Sequence, residues 1–307
     1  MMLSRIASSL FWIGRYVERS DGTARILDVH LQLLLEDPWI DEDTACRSLL
    51  GVMGSVAPDG VLAREDVLRI LALDRSTPES IAYSIFAARE NARRAREIVS
   101  TELWESLNTT AAQVSRTLTG DKAHEFFNWV RERASLTMGI MYSGASRDEA
   151  WHFFTLGRSL ERTDMTARLL ATRLLTDASG PSWTTILRSC GAYEPYLRTY
   201  RGVPSARNAA EFLLHDRLFP RSILFSVARA GESLRDLEPK QERVGVSDDA
   251  LRILSQVQSE LEFGPIGRVL EDLPGYMATV QEATSSATNA IMQRYFPENA
   301  VPSWIGD

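Results

Sequence analysis

The chain has 307 residues, of which 44% are hydrophobic and 24% are charged, and its formal net charge is −7. This length suits one large or two ordinary domains, and the negative charge, with acidic and basic residues interleaved, opposes binding to nucleic acid. No apolar run reaches the ~20 residues that cross a bilayer, and the first residues lack a secretory signal core. We therefore expect a cytoplasmic protein with no membrane segment.

Helical periodicity dominates the sequence, and alternating strand patterns are nearly absent, so the predicted fold class is all-α, a helical bundle. Turn residues predict breaks, among them Asp37-Pro38, Ser179-Gly180-Pro181 and Leu273-Pro274-Gly275. The predicted helices span residues 4–35, 42–56, 64–73, 79–106, 109–118, 122–142, 147–177, 182–200, 205–215, 221–237, 248–262 and 276–295.

Two blocks of sequence occur twice in the chain. Residues 11–27 align with residues 154–170 at an offset of 143, with ten of seventeen positions identical. Residues 71–93 align with residues 213–235 at an offset of 142 and share an Asp-Arg pair, a proline and a Glu-x-x-Arg pattern. The same order at nearly the same offset predicts an internal duplication, that is, two tandem pseudo-repeats of about 142 residues covering 1–146 and 147–307.

The first repeated helix places charges on its apolar face. Residues on the same side as Gly14 in a 100° helical wheel include Phe11, Val17, Glu18 and Asp21, and the second copy repeats this around Gly157. Charge on a packing face costs several kcal/mol unless it is paired, so both faces predict neutralising partners. The candidate site residues are Arg15, Glu18, Asp21, Arg25, Arg158, Glu161, Asp164, Arg168, Glu90 and Arg93.

One interpretation of these charges is structural. Asp21 and Arg25 are four residues apart, as are Asp164 and Arg168, and Arg15 and Arg158 each precede a glutamate by one turn. If the two copies pack about a pseudo-twofold axis, the repeated helices could also cross and exchange ion pairs. The charged face would then be a buried network that fixes the register of the two helices.

The other interpretation is a ligand site, because four carboxylates with flanking arginines could hold a divalent cation, a substrate amine or a peptide-like ligand. Only His152 stands three residues after a glutamate, Glu149, whereas a carboxylate-bridged iron or manganese centre needs this spacing on two facing helices, which opposes that class of site. Cys46 and Cys190 lack CxxC partners and are predicted to be buried thiols. No metal site, cofactor or catalytic nucleophile is predicted in this chain, which leaves Glu18 and Glu161 as candidate general bases.

Six motifs follow one another along nearly the whole chain. They are Gly14-Arg15-Tyr16-Val17-Glu18-Arg19, Ala88-Arg89-Glu90-Asn91-Ala92-Arg93, Trp104-Glu105-Ser106-Leu107-Asn108, Thr137-Met138, Leu156-Gly157-Arg158-Ser159-Leu160-Glu161-Arg162 and Phe219-Pro220-Arg221-Ser222-Ile223. In this order they resemble the motifs of the bacterial alpha-E domain family. One departure is Ser20-Asp21-Gly22, where relatives usually read Ala-Glu-Asn; it shortens an acid and places a helix-weakening glycine inside the helix.

The resemblance implies a helical protein that works beside a circularly permuted ATP-grasp ligase and a transglutaminase-like protein. In such an ATP-dependent amide-forming or peptide-forming system, Mg-ATP would bind to the ligase, and this chain would be an accessory or co-catalytic partner that holds a substrate or the ligase in its charged cleft. Two alternatives remain open. The chain could be a stand-alone enzyme with Glu18 or Glu161 as general base, although a glutamate held by arginine has a lowered pKa. It could also be a helical scaffold that docks partners through surface aromatics such as Trp304.

Overall fold

The computed structural model describes residues 2–36, 41–172, 182–238 and 248–297, and every regular element within these ranges is a helix, as predicted. None of these helices is both long enough and apolar enough to cross a membrane. The α-helices are α1 (Ser4–Glu36), α2 (Glu42–Met53), α3 (Arg64–Val67, which continues with π-helical geometry over Leu68–Leu73), α4 (Ile81–Arg94), α5 (Thr101–Gln113), α6 (Ala123–Gly144), α7 (Glu149–Ala171), α8 (Trp183–Ser189), α9 (Tyr193–Tyr200), α10 (Ala206–His215), α11 (Ile223–Leu237), α12 (Asp249–Phe263), α13 (Ile266–Glu271) and α14 (Leu273–Tyr295).

Two sets of helices surround a central pair formed by α1 and α7. Helix α1 packs against α4 and α6, and α5 lies against both of these. Helix α7 packs in the same manner against α11 and α14, and α12 lies against both. Helix α8 contacts α1, while α2 contacts both α1 and α7. Because the central pair is covered on several sides, the charges on its facing surfaces lie inside the protein.

The central helices cross at a pair of glycines. A Cβ atom on Gly14 would lie 2.1 Å from the carbonyl oxygen of Phe154, and one on Gly157 would lie 2.0 Å from the carbonyl oxygen of Phe11. Any side chain at either position would push the two backbones apart, so this close approach requires glycine. The two contacts are reciprocal, since Gly157 stands 143 positions after Gly14, and Phe154 stands 143 positions after Phe11.

Two predicted helices are each divided in the structure. The prediction of one helix over 79–106 is wrong, because α4 ends at Arg94 and α5 begins at Thr101. Ser100 caps α5 by accepting a hydrogen bond from the Leu103 amide at 3.2 Å. The predicted helix 182–200 is divided between α8 and α9 at Gly191, whose φ is +61°. A serine cap and a left-handed glycine are local stop signals that outweigh continuous apolar periodicity.

The C-terminal helix begins earlier than predicted. The residues Leu273-Pro274-Gly275, predicted as a break, form the first turn of α14, where Asp272 caps the helix by accepting a hydrogen bond from the Gly275 amide at 3.0 Å. Proline is tolerated there because the first-turn N–H groups have no partner inside the helix. The short helix α13 had not been predicted. The predicted breaks at Asp37-Pro38 and Ser179-Gly180-Pro181, and the tail containing Trp304, lie outside the described residues.

Candidate functional site

Glu161 on α7 is buried at the helix crossing and held by arginines of α1. Its side chain is 1% exposed. Arg15 Nε donates to Oε2 at 2.7 Å, and Arg19 donates through Nε to Oε1 at 2.5 Å and through Nη2 to Oε2 at 3.0 Å. Arg15 also donates from Nη1 to the Thr288 hydroxyl of α14 at 3.1 Å. The two guanidinium groups therefore supply Glu161 with three charge-assisted hydrogen bonds.

Glu18 on α1 has the reciprocal arrangement with arginines of α7. Arg158 Nε donates to its Oε2 at 2.9 Å, and Arg162 Nε lies 2.8 Å from its Oε1. A third cation, Arg221 from the turn before α11, places Nη2 3.2 Å from Oε1. Glu18 is therefore surrounded by three guanidinium groups, whereas Glu161 has two.

The pairing partners differ in part from those suggested by spacing. Asp21 pairs with Arg25 at 3.0 Å, and Asp164 pairs with Arg168 at 2.8 Å, each within one helix as the four-residue spacing indicates. Arg15 and Arg158, in contrast, leave the glutamate of their own helix and bind the glutamate of the other helix. Arg19, Arg162 and Arg221 belong to the same network and were not among the candidate residues.

The arginines determine the protonation state of both glutamates. Burial alone would raise the pKa of Glu18, but Arg162, Arg221 and Arg158 outweigh this effect and hold the pKa well below its usual range. Burial likewise opposes ionisation of Glu161, and Arg19 and Arg15 nevertheless lower its pKa to about 2. Both side chains are ionised at neutral pH. Carboxylates with such a low pKa are weak proton acceptors, so the geometry opposes a general-base role for either one.

The segment Ser20-Asp21-Gly22, for which the resemblance implies a departure, fits closely against its neighbours. A Cβ atom on Gly22 would lie 2.8 Å from the Cε of Met165, which occupies the space above the glycine. Asp21 is 5% exposed and pairs with Arg221 as well as with Arg25. The shorter acid and the missing side chain thus fit a helix face that is covered by Met165 and Arg221.

The outer arginines of the network lie at the ends of other helices. A Cβ atom on Gly191, which follows α8, would lie 3.1 Å from Nη1 of Arg25, and one on Gly54, which follows α2, would lie 2.7 Å from Nη1 of Arg168. Both glycines have a positive φ. Guanidinium groups near helix C-termini stabilise the exposed carbonyl groups. Each central helix thus places an arginine beside a capping turn in the other half of the chain.

Glu90 and Arg93 are not part of the buried network. Arg93 Nη2 lies 2.7 Å from Glu90 Oε1, and the Arg93 side chain is 59% exposed. Repetition had placed these residues among the candidates, but the described contacts assign them to a surface ion pair of α4. Among the described residues, no group of three or more His, Cys, Asp or Glu side chains is arranged to hold a metal ion. Cys46 and Cys190 are buried, which raises the pKa of Cys190 to about 12.

An open cleft of about 440 Å³ adjoins the arginines that hold Glu18. Its more exposed walls carry two ion pairs, Arg217 with Glu262 and Arg229 with Glu232, each at 2.9 Å. Apolar, hydroxyl and charged groups therefore converge in one concave site, which is the usual character of a ligand pocket. The lining residues are Tyr142, Thr155, Arg158, Ser159, Arg162, Arg217, Pro220, Leu224, Phe225, Ser226, Ala228, Arg229, Glu232, Gln258 and Glu262.

The corresponding surface of the N-terminal half is filled by aromatic rings. Trp12 stacks on Tyr16 with ring centres 5.4 Å apart, and Tyr16 meets Tyr83 edge to face at 5.9 Å. Small side chains stand at three of the aligned positions in the C-terminal half, so the volume occupied by rings on one side stays open on the other. The aligned pairs are Trp12 with Thr155, Tyr16 with Ser159 and Phe86 with Ala228.

The two matched arginines beside the crossing also differ. Arg15 uses Nε for Glu161 and Nη1 for Thr288, and its side chain is 10% exposed. Arg158 uses Nε for Glu18, and among the described residues no acceptor takes a hydrogen bond from its Nη1 or Nη2. Its guanidinium carbon lies 6.0 Å from the ring centre of Tyr142, on the lining of the cleft. Arg158 therefore presents N–H donors to the open cleft.

Comparison with family models matches residues 2–296 to Alpha-E, described as a predicted alpha-helical domain with a conserved ER motif. Two similar curated proteins are the uncharacterised proteins Mb2597 of Mycobacterium bovis, at 24% identity, and Rv2567 of Mycobacterium tuberculosis, at 23% identity. Each alignment covers 99% of this chain and 38% of the relative, so the chain spans less than half the length of these proteins. No solved structure matches the chain.

Proposed function

Because the chain belongs to the Alpha-E family, and Glu18-Arg19 and Glu161-Arg162 are Glu-Arg pairs of the kind its description names, we propose that these pairs form a rigid support for ligand binding. The cleft between α7, α11 and α12 would hold the substrate of an ATP-dependent amide-forming or peptide-forming system. The chain would act there as an accessory partner of an ATP-grasp ligase, with a transglutaminase-like protein as a further partner.

The observation that carries this proposal is the one-sided cleft. The ion pairs around Glu18 and Glu161 are closely matched, whereas an open volume of about 440 Å³ lies against Arg158 and Arg162. A purely structural network has no need of such an opening. The cleft also has the mixture of apolar surface and a few directed polar groups that holds a small molecule or a peptide end.

It is chemically reasonable for a ligase to activate one reactant while this chain holds the other. An ATP-grasp enzyme activates a carboxylate with phosphate from ATP, so a partner needs only to place the second reactant. Positioning of two reactants can contribute about 7–11 kcal/mol to the lowering of a barrier. A substrate-holding cleft without a catalytic base is sufficient for that task, and Mg-ATP would stay on the ligase.

A stand-alone enzyme with Glu18 or Glu161 as general base is the second candidate function. The low pKa of both carboxylates and their saturation by arginines argue against it. A Glu161→Gln variant that folds normally, still forms the complex and loses all product formation would favour this enzyme. A helical scaffold is the third candidate, and it predicts that changes inside the cleft have no effect on product formation.

The first test is co-expression of this chain with the ATP-grasp protein of its own genome, followed by size-exclusion chromatography with mass detection. We expect a single complex peak. Separate peaks both with and without Mg-ATP would contradict the partnership.

A second test asks whether the cleft matters to the reaction. Ser159→Tyr introduces the residue that occupies the aligned position 16, and we expect it to fill the cleft, leave the complex intact and lower product formation by roughly 10²-fold. Ser286→Tyr makes the same change on an exposed face of α14 and serves as the matched control. Equal activity of the two variants would exclude the cleft as the substrate site.

We also propose that the chain arose by internal duplication and acts in the cytoplasm. Reciprocal contacts support the duplication. Arg19 Nη1 donates to the Pro78 carbonyl at 3.2 Å, and Arg162 Nη1 donates to the Pro220 carbonyl at 3.4 Å. A supply of ATP for the partner ligase and two free buried thiols support the cytoplasmic location.

A further inference from the structure

Building on the proposed function, we propose that the ligand of the cleft is a peptide-like carboxylate with an apolar side chain, and that Arg158 binds its carboxylate group. This assigns a substrate class and a binding residue to the site. It follows from the donors, the apolar surface and the charge of the cleft.

The hydrogen-bond donors come from Arg158, which uses only its Nε to bind Glu18. Arg158 is fixed by the hydrogen bond from its Nε to Glu18, and its side chain is 14% exposed. Its Nη1 and Nη2 atoms remain available toward the cleft. The end of a guanidinium group presents two nearly parallel N–H bonds, and a carboxylate accepts both with its two oxygen atoms. Because Glu18 already holds the side chain in place, little rotamer entropy is lost when a ligand binds.

The apolar surface lies on α11, whereas Arg158 lies on α7. Leu224, Phe225 and Ala228 line the cleft together with Pro220. A ligand held by its carboxylate at α7 would therefore lay a neighbouring aliphatic or aromatic group against α11. The volume of about 440 Å³ suits one or two amino-acid residues.

The charge of the cleft favours a monoanion. Each of its four arginines is already within ion-pair distance of a carboxylate: Arg158 and Arg162 with Glu18, Arg217 with Glu262 and Arg229 with Glu232. These four arginines and three carboxylates leave one net positive charge, and Glu232 and Glu262 would repel a dianion. A carboxylate fits this balance better than a phosphate group does.

The test is isothermal titration calorimetry of the full chain with N-acetyl-leucine, N-acetyl-leucinamide and inorganic phosphate. We expect N-acetyl-leucine to bind and its amide to bind at least about tenfold more weakly, because the amide removes the anion but keeps the side chain. Equal binding of the two, absence of binding by both, or tighter binding of phosphate would overturn the proposal. These comparisons use the unmodified protein, so they do not depend on the folding of a variant.

Two matched variants assign the binding residue. Arg158→Lys keeps a positive charge beside Glu18 but loses the paired N–H groups, and we expect it to weaken N-acetyl-leucine binding about tenfold. Arg15→Lys makes the same change at the aligned position, where Nη1 is engaged with Thr288, and binding should change by less than about twofold. Equal losses in both variants, with circular dichroism showing intact helices, would exclude a specific role for Arg158.

The two proposals can fail separately. If the ligase complex forms and Ser159→Tyr abolishes product, but N-acetyl-leucine does not bind, the carboxylate class is wrong and the accessory role stands. If N-acetyl-leucine binds with the expected preference over its amide and no complex forms, the ligase partnership is wrong and the carboxylate site stands.

Discussion

The two sides of the helix crossing use the same ion pairs but different neighbours. Around Glu161, the N-terminal half packs Trp12 and Tyr16 beside the arginines, and Arg15 donates both to Glu161 and to Thr288. Around Glu18, the C-terminal half places Thr155 and Ser159 at the same positions and leaves a cleft. The charged residues are common to both sides, so they account for the crossing itself. The cleft on one side arises from the residues that are not repeated.

The largest expected effect comes from removing a buried counter-charge. Glu18→Gln leaves Arg158, Arg162 and Arg221 without their shared carboxylate, and Glu161→Gln leaves Arg15 and Arg19 in the same state. We expect each change to lower the unfolding free energy by about 3–5 kcal/mol, with the larger loss for Glu18. Urea denaturation measures this loss.

Glu232→Gln is the control for that prediction, because it breaks an ion pair in which the glutamate side chain is 53% exposed. Its cost should stay below about 1 kcal/mol. If the losses at Glu18 and Glu161 were no larger than that of the control, the buried network would not hold the two helices together.

The next effect tests whether the crossing is equally tight from both sides. Gly14→Ala and Gly157→Ala each force a methyl group against a backbone carbonyl, and each should lower the unfolding free energy by at least about 1–3 kcal/mol, by similar amounts. Gly139→Ala, in an exposed part of α6 with nothing near the added methyl, should instead stabilise the protein by about 0.5–1 kcal/mol. Thermal unfolding would show whether one side of the crossing tolerates the methyl group.

The pH dependence of stability reports on the same glutamates. The pKa of Glu161 falls from 4.5 to about 2 on folding, so its stabilisation is fully present above about pH 5 and is lost as the pH falls toward 2. Between about pH 5 and pH 3 the loss should be about 1–2 kcal/mol for this residue. Urea denaturation over this range should show a flatter profile for Glu161→Gln than for the unmodified chain. Parallel profiles would mean that Glu161 is not the titrating group.

The smallest expected effect concerns the open side. Ser159→Tyr adds a ring to a cleft that has room for it, so the unfolding free energy should change by less than about 1 kcal/mol. Chemical denaturation checks this directly. A loss of 2 kcal/mol or more would show that the cleft is packed as tightly as its aromatic counterpart, and the comparison between the two sides would fail.

Much of this site could be predicted from local spacing. The pairs Asp21–Arg25 and Asp164–Arg168 follow from four-residue separation, and the buried charged face follows from the helical wheel. The wheel places Arg19 away from the charged face, because five steps of 100° bring it about 140° from Gly14. Its long side chain nevertheless reaches Glu161 on the neighbouring helix. A wheel describes one helix and cannot show what a second helix brings within reach.

Other parts depend on tertiary structure. Arg221 comes from the turn before α11, and no local pattern links it to Glu18. The repetition of Glu90 and Arg93 indicated a common site, but these residues form a surface pair. The cleft did have a signal in the sequence, since Tyr16 aligns with Ser159 and Trp12 with Thr155. Positions where a large residue aligns with a small one therefore indicated the cleft, which the identical positions did not.

The reciprocal crossing also has a consequence for synthesis. Helix α1 is made well before α7. Glu18 and Glu161 each lie about 140 positions along the chain from the arginines that neutralise them. At roughly 5–20 residues per second, α1 spends about 7–30 s on the ribosome before its partner emerges. During that interval the carboxylates and the glycine surface of α1 that are buried in the folded protein are exposed to water and to other proteins. The central pair of helices therefore cannot form until both α1 and α7 have been synthesised.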